Sequence, residues 1–426
     1  MIDRLVAPPI KDATEFSLQL KPYEKFTLDN GVPVYAVDAG VEELLQIELV
    51  FFAGNCFEKN NLVASATNSL LKNGTSKKTA FEINEHFEYY GSYCNRGCHN
   101  ETAVLSLHTL NKHLPRLLPV MQEMITDAAF AEEELNIFKQ NNKQKLLVSL
   151  KKSEFIAGRL IDTYLYGMDH PYGRYSTAED LDALTTVQLK AFYEQYYVNG
   201  QCVIFVAGKL PADLEQQLNK NFGSLSLQAP SLIVPYPDTL QATEKKFHVI
   251  NDPAGVQGAI RIARPFPNRH HPDFMKVMVL NSVFGGFFGS RLMSNIREEK
   301  GYTYGIHSYL QNHVQQSAWL VSTEVGKDVY EAAITEIYKE MELLKEEAIE
   351  EEELALVKNY MIGSILGDLD GPFHIIGRWK NLVLNGLDEA YFNQSVDTIK
   401  NITAAELMEL SKKYLNPEQF YELVVI

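Results

Sequence analysis

The sequence predicts an α+β fold built as two homologous domains, and three observations lead there. Several short stretches alternate apolar and polar residues with the two-residue period of strands. Others space apolar residues by three and four, as one face of a helix requires. Several tracts also recur at offsets of 210 to 219 residues, a period that means a duplicated domain and not a solenoid of short repeats. A chain of 426 residues, 46% apolar, is long enough to bury two cores.

In chain order, Val32–Val37, Ile47–Phe52 and Thr102–His108 read as strands. Leu114, Leu117, Leu118, Met121, Met124 and Ile125 form the apolar face of a helix. Thr185-x-x-Gln188 is a capping box that starts another helix, and Cys202–Ala207 is a further strand. In the second half Val256–Arg264 and Trp319–Val325 alternate as strands, and Thr403-x-x-Glu406 is a second capping box. Runs of strands followed by paired helices imply an antiparallel sheet with helices packed on one face of each domain.

The repeat has three anchors. Glu132-Glu133-Glu134-Leu135 with Lys139 returns as Glu351-Glu352-Glu353-Leu354 with Lys358. Thr185–Leu189 with Tyr196 returns as Thr403–Leu407 with Tyr414, and His86–Tyr93 lies opposite Ile296–Thr303. We place the first domain at residues 1–225 and the second at 247–426. The linker, 226–246, is interrupted by Pro230, Pro235 and Pro237, as a semi-rigid connection would be.

Composition narrows the function. A formal net charge of −16 and a pI near 5.2 argue against nucleic-acid binding and against docking on anionic membranes. The N-terminal MIDRLVAPPIKD lacks the apolar core of a secretion signal, and no window approaches the length of an apolar membrane span. Four cysteines do not make a disulfide framework. A cytoplasmic, reducing setting is expected.

The most informative segment is GGFFGSRLMSNIREEKGYTYG, Gly285 to Gly305, which sets Arg297 and Tyr304 seven residues apart behind a glycine-rich turn. On local features alone, Arg297 reads as a solvated member of a charged run and Tyr304 as a half-buried strand residue. A guanidinium and a phenol held near one another can also polarise a peptide carbonyl and hold an oxyanion. As a whole the segment resembles the second-domain signature of the insulinase/pitrilysin family of inverted-motif zinc peptidases, in its processing-peptidase branch. The resemblance runs from about Tyr23 to the C-terminus and includes His170-Pro171-Tyr172-Gly173-Arg174, which in the family shapes a loop. It implies two domains facing each other as a clam-like shell around a chamber. It also implies that Gly285, Gly286 and Ser290 help Arg297 and Tyr304 bind substrate.

The zinc site of that family is missing. Hydrolytic members carry His-x-x-Glu-His on a first-domain helix, so that two imidazoles one turn apart grip zinc and the glutamate activates water. Counting back from Gly74-Thr75, those positions hold Ser65, Ala66, Thr67, Asn68 and Ser69. The distal glutamate should fall in KQNNKQKLL, at Gln144 or Lys145, a tract without a carboxylate. Other candidates are poor. Cys94-Asn-Arg-Gly-Cys98-His99 lacks a second ligand pair, His270-His271 sit before a proline in a loop, and Glu346–Glu353 reads as a solvated helix start.

The resemblance therefore implies the zinc-free subunit of a hetero-oligomeric metallopeptidase acting on unfolded peptides. Arg297 and Tyr304 would be supplied to the zinc site of a homologous, zinc-bearing partner subunit, and this chain would bind no cofactor itself. The alternative is a non-catalytic peptide-binding or scaffolding relative. A homodimer is open for the isolated chain.

Overall fold

The structure is a computed structural model that describes residues 12–231 and 236–426. Among the described residues, eleven strands form two sheets. The first contains β1 (Glu24–Thr27), β2 (Pro33–Asp38), β3 (Leu44–Phe51), β4 (Tyr93–Cys98), β5 (Ala103–Leu110) and β6 (Cys202–Gly208), in the order β1-β2-β6-β3-β5-β4. The second contains β7 (Lys246–Val249), β8 (Gln257–Phe266), β9 (Thr303–Asn312), β10 (Ser317–Gly326) and β11 (Tyr421–Val425), in the order β7-β11-β8-β10-β9. Each sheet is antiparallel apart from one pair, β2 with β6 and β11 with β7. Without β1, the two orders superimpose strand for strand, so the duplication inferred from residue offsets is a duplication of topology.

The first half contributes helices α1 (Val63–Leu70), α2 (Ala80–Tyr89), α3 (Leu114–Thr126), α4 (Glu132–Ser149), α5 (Ser153–Tyr166), α6 (Ala178–Ala183), α7 (Thr186–Tyr193) and α8 (Leu214–Phe222). The second contributes α9 (Phe274–Asn281), α10 (Tyr330–Glu346), α11 (Glu351–Gly367), α12 (Pro372–Leu384), α13 (Glu389–Asn401) and α14 (Ala404–Tyr414). Both expected capping boxes form, Thr185 with Gln188 and Thr403 with Glu406. The predicted strands and the Leu114 helix stand where the periodicity put them, within a few residues.

Most helices cover one face of their own sheet, and the opposite face is covered by the other half. Helix α5 buries Ala157, Ile161 and Leu165, spaced by four, against the second sheet. Small residues there (Ala259, Ala263, Ala318) let the helix approach closely. Reciprocally, α12 lays Ile375, Ile376, Trp379 and Leu382 toward the first sheet, where Tyr35 and Phe205 stack at 5.5 Å. The Trp379 indole donates to the Lys21 carbonyl at 2.8 Å and meets the Tyr23 ring edge-on at 4.6 Å. Each fully buried Ile or Leu contributes roughly 1.5–3 kcal/mol, so this exchange of one helix in each direction makes the two halves one packed body. A Lys380–Glu48 ion pair at 2.6 Å crosses the same junction.

Of the segment read as a linker, Leu232, Ile233, Val234 and Pro235 lie outside the described residues. Nearby, Leu240 and Ala242 donate their amides to Tyr166 and Tyr164 at the end of α5, at 3.1 and 2.9 Å. Tyr236 donates to Glu101 at 3.0 Å.

Candidate functional site

The Gly285–Gly305 segment folds as turn, helix and strand entry. After α9 the chain makes a π-helical turn, Ser282–Gly286. Gly285 is buried, and a Cβ there would stand 2.7 Å from Ser308 Cβ and 2.9 Å from Leu292 Cδ1. Gly286 is nearly as tight, with Asn281 at 3.1 Å. Gly285 lets the turn sit flush on β9 and Gly286 lets it close back on the end of α9, so the structure gives both a packing role. Ser290 is 2% exposed, and its hydroxyl has no protein partner. A second helical stretch, ending in the π-helical Met293–Glu299, carries Arg297 on its last turn.

What aims Tyr304 is a β-bulge. In the β9–β10 register Thr323 opposes Ile306 and Val325 opposes Thr303, so Tyr304 and Gly305 together face Glu324. The extra residue breaks the alternation and turns the phenol outward, leaving Tyr304 93% exposed. The Thr303 hydroxyl pins the bulge by donating to the Glu324 carbonyl at 2.7 Å and accepting from the Gly305 amide at 3.1 Å. Arg297 reinforces it: its Nε donates to the Tyr304 carbonyl at 3.1 Å, and its guanidinium lies over the Phe288 ring at 4.7 Å. The only other partner among the described residues is Glu298, at 3.6 Å from Nη1. The half-buried guanidinium is thus tied to the backbone of the residue whose phenol is exposed.

Beneath them lies a buried polar cluster. The Trp319 indole donates to Asn281 Oδ1 and to Ser308 Oγ, both at 2.8 Å, and Ser308 Oγ donates to Asn281 Oδ1 at 2.7 Å. This ties α9, β9 and β10 together directly behind the glycine turn. The adjoining helical stretch is anchored by a two-pronged Arg291–Glu353 pair, both contacts 2.8 Å. The acidic run is therefore not wholly solvated. Its last member holds the segment that positions Arg297.

The degenerate positions of the first half do not fit zinc. Ser65 spends its hydroxyl on the Leu62 carbonyl at 3.1 Å. Asn68 is 2% exposed, with its amide donating to the Tyr197 hydroxyl at 3.2 Å and the Val104 carbonyl at 3.4 Å. The Ser69 carbonyl accepts from Arg96, which also donates to Asn73 at 3.1 Å, so a fixed cation stands beside that position. Gln144 is exposed on α4. Neutral hydroxyls and amides, next to a guanidinium, offer a divalent cation no negative charge and none of the imidazole, thiolate or carboxylate ligands that zinc takes. Among the described residues no three His, Cys, Asp or Glu side chains gather as a metal site. Burial raises the Cys94 and Cys98 thiols to about 11 and about 12, so neither is a ready thiolate. His270 is exposed and reaches the Asn385 carbonyl at 2.9 Å.

Restoring the motif alone is accordingly expected to fail. The triple variant Ser65→His, Asn68→Glu, Ser69→His should retain less than one zinc per chain after dialysis, measured by plasma mass spectrometry, and should cut no peptide. Stoichiometric zinc would show that neither the distal carboxylate nor Arg96 matters.

One element had no separate signal in the sequence. Arg174, from the His170–Arg174 tract, donates to Glu58 Oε1 at 2.9 Å and to the Asn55 carbonyl at 3.1 Å. Glu58 in turn accepts from the Leu62 and Ala64 amides at 3.1 and 2.8 Å, capping α1 and holding Leu62 in a left-handed conformation with φ of 70°. The tract thus fixes the helix that carries the degenerate positions. Burial pushes the Glu58 carboxyl up to about 7, against the pull of those amides and of Arg174.

With this geometry in view, comparison with known proteins is informative. Two family models match: "Insulinase (Peptidase family M16)" over residues 39–157 and "Peptidase M16 inactive domain" over residues 183–361. The first spans the degenerate motif and the second spans Arg297 and Tyr304. The chain is 25% identical over 370 residues to the uncharacterized zinc protease YmxG of Bacillus subtilis, covering 85% of this chain and 88% of that protein. An uncharacterized zinc protease of Rickettsia felis is 23% identical over 349 residues, covering 80% and 82%. Among solved structures, a peptidase M16 inactive domain from Pseudomonas fluorescens has the same fold at TM-score 0.85 and 23% identity, covering 95% of this chain and 98% of that one. A protease from Helicobacter pylori follows at TM-score 0.84 and 18% identity, covering 96% and 100%.

Proposed function

Since the chain belongs to the insulinase family of peptidases, family M16, we propose that it is the zinc-free subunit of a two-chain peptidase, lending Arg297 and Tyr304 to a homologous partner that binds the metal. The observation that carries this reading is the pairing of an unusable first-half site with a built second-half rim. Tyr304 is 93% exposed, yet its backbone is fixed by a bulge, a threonine hydroxyl and Arg297. A solvated tyrosine needs none of this. Held there, the phenol can donate to a developing oxyanion and the open edge of the guanidinium can hold a substrate carbonyl.

The substrates on this reading are unfolded peptides. Strand β9 ends its sheet, with no strand paired to its outer edge among the described residues, and an extended chain adds to such an edge by main-chain hydrogen bonds. The chamber around the substrate would be completed by the partner. All four cysteines are free, which supports a cytoplasmic, reducing setting. No helix among the described residues is long and apolar enough to cross a membrane.

Affinity isolation of the chain from its native cell, with companions identified by mass spectrometry, tests the proposal. A near-stoichiometric homologue bearing His-x-x-Glu-His is the expected result. Recovery alone or with unrelated proteins would leave the peptide-binding or scaffolding role in its place.

A further inference from the structure

We propose that the second half also carries a carboxylate-binding pocket, separate from the Arg297–Tyr304 rim, that takes a small anion with a short apolar tail. The pocket is a cavity of about 190 Å³ among α9, α11, α12 and α13. Phe274, Met278, Ile365 and Leu382 make its apolar wall, and Arg269 and Arg378 make its polar end. Asn312, which borders it, lies eight residues along β9 from Tyr304, roughly 26 Å at the rise of a strand. This inference does not rest on the function proposed above.

The two arginines are differently placed. Arg378 donates to Asp368 at the half-exposed turn between α11 and α12. Arg269 has a neutral partner, Asn381, and its Nε is buried with no protein acceptor. No carboxylate stands within ion-pair distance of Arg269 among the described residues. Burial holds the Arg269 guanidinium below its ordinary pKa, with Tyr391 opposing and the nearby Arg378 charge adding to the effect. An arginine keeps its charge even so. A half-buried cation near a second cation, with a buried Nε that has no acceptor and an amide as its hydrogen-bond partner, is an arrangement that an anion would relieve. A carboxylate fits best, because its two oxygens match the planar fork of a guanidinium.

Most of the remaining wall is apolar, with Asn312, Asn381 and Ser395 the polar exceptions, which calls for a hydrocarbon tail rather than a bare ion. The volume lies below the roughly 300–1,000 Å³ of pockets for drug-sized ligands, so the occupant has on the order of ten non-hydrogen atoms. A leucine-sized carboxylate meets both conditions. It could be the C-terminal carboxylate of a peptide with an apolar last residue, or a free branched acid.

Calorimetric titration of the full chain with 4-methylpentanoate, N-acetylglycyl-leucine and neutral 4-methylpentanamide separates these cases. Saturable binding of either acid, with the amide at least tenfold weaker, is expected, and the preferred acid identifies the source. Arg269→Gln should weaken binding tenfold or more, the scale of one lost charge-assisted contact. Met278→Trp, which keeps both arginines and fills the apolar end, should abolish it with the circular dichroism unchanged. No saturable heat from either acid up to about 10 mM, equal binding of acid and amide, or wild-type affinity in both variants would overturn the proposal.

Discussion

Tyr304→Phe, assayed on a long unfolded peptide with the zinc-bearing partner that we propose, is expected to lower turnover by roughly 10²–10³, the usual effect of removing one oxyanion donor. The substitution deletes only a hydroxyl. The bulge that aims residue 304 is held by Thr303 and by the Arg297 contact to the backbone carbonyl, and both survive. Assembly and peptide affinity should therefore stay near wild type, and the loss should fall on kcat. Arg297→Ala removes a cation and also frees the Tyr304 backbone and the Phe288 ring, so it should cost at least as much. Because the two residues share that contact, the double variant should be little worse than Arg297→Ala alone. Wild-type turnover from both single variants would remove the catalytic reading and leave a scaffold.

The second large effect is on stability and depends on pH. Arg174→Met leaves Glu58 in place with its side chain 1% exposed and without its cation. Removing one partner of a buried pair commonly costs about 3–5 kcal/mol, because the remaining charge is uncompensated. That cost exists only while Glu58 is ionised. In the folded wild type its carboxyl is raised to about 7, above its value of 4.5 when solvated. The folded chain therefore binds the extra proton between those values, and this group's contribution is full below pH 4.5 and is lost as pH rises through 7. The variant should accordingly lose much more stability at pH 8 than at pH 5.5, as urea unfolding at the two values would show. Equal losses would mean that Arg174 acts by packing alone.

Much of the fold was legible in the chain. The strands Val32–Val37 and Cys202–Ala207, the Leu114 helix and the two threonine capping boxes are local patterns, and local patterns survive into the structure. The antiparallel expectation held except at β2–β6 and β7–β11, where residues far apart in sequence pair in parallel. The covering of each sheet by a helix from the other half could not be read, because α5 and α12 have the same apolar spacing whichever sheet they meet.

The candidate site divides the same way. The sequence by itself determined its chemistry: an arginine and a tyrosine seven residues apart, glycines before them, and serines and amides where a zinc site would need histidines and carboxylates. Only the tertiary structure decided that Tyr304 points outward, that Glu353 steadies the helix bearing Arg297, and that Arg174 caps α1 through Glu58. The reason is physical. Residue type fixes which bonds a side chain can make, whereas its partner and exposure depend on contacts spanning 62 and 116 residues, and on a one-residue bulge that no periodicity announces.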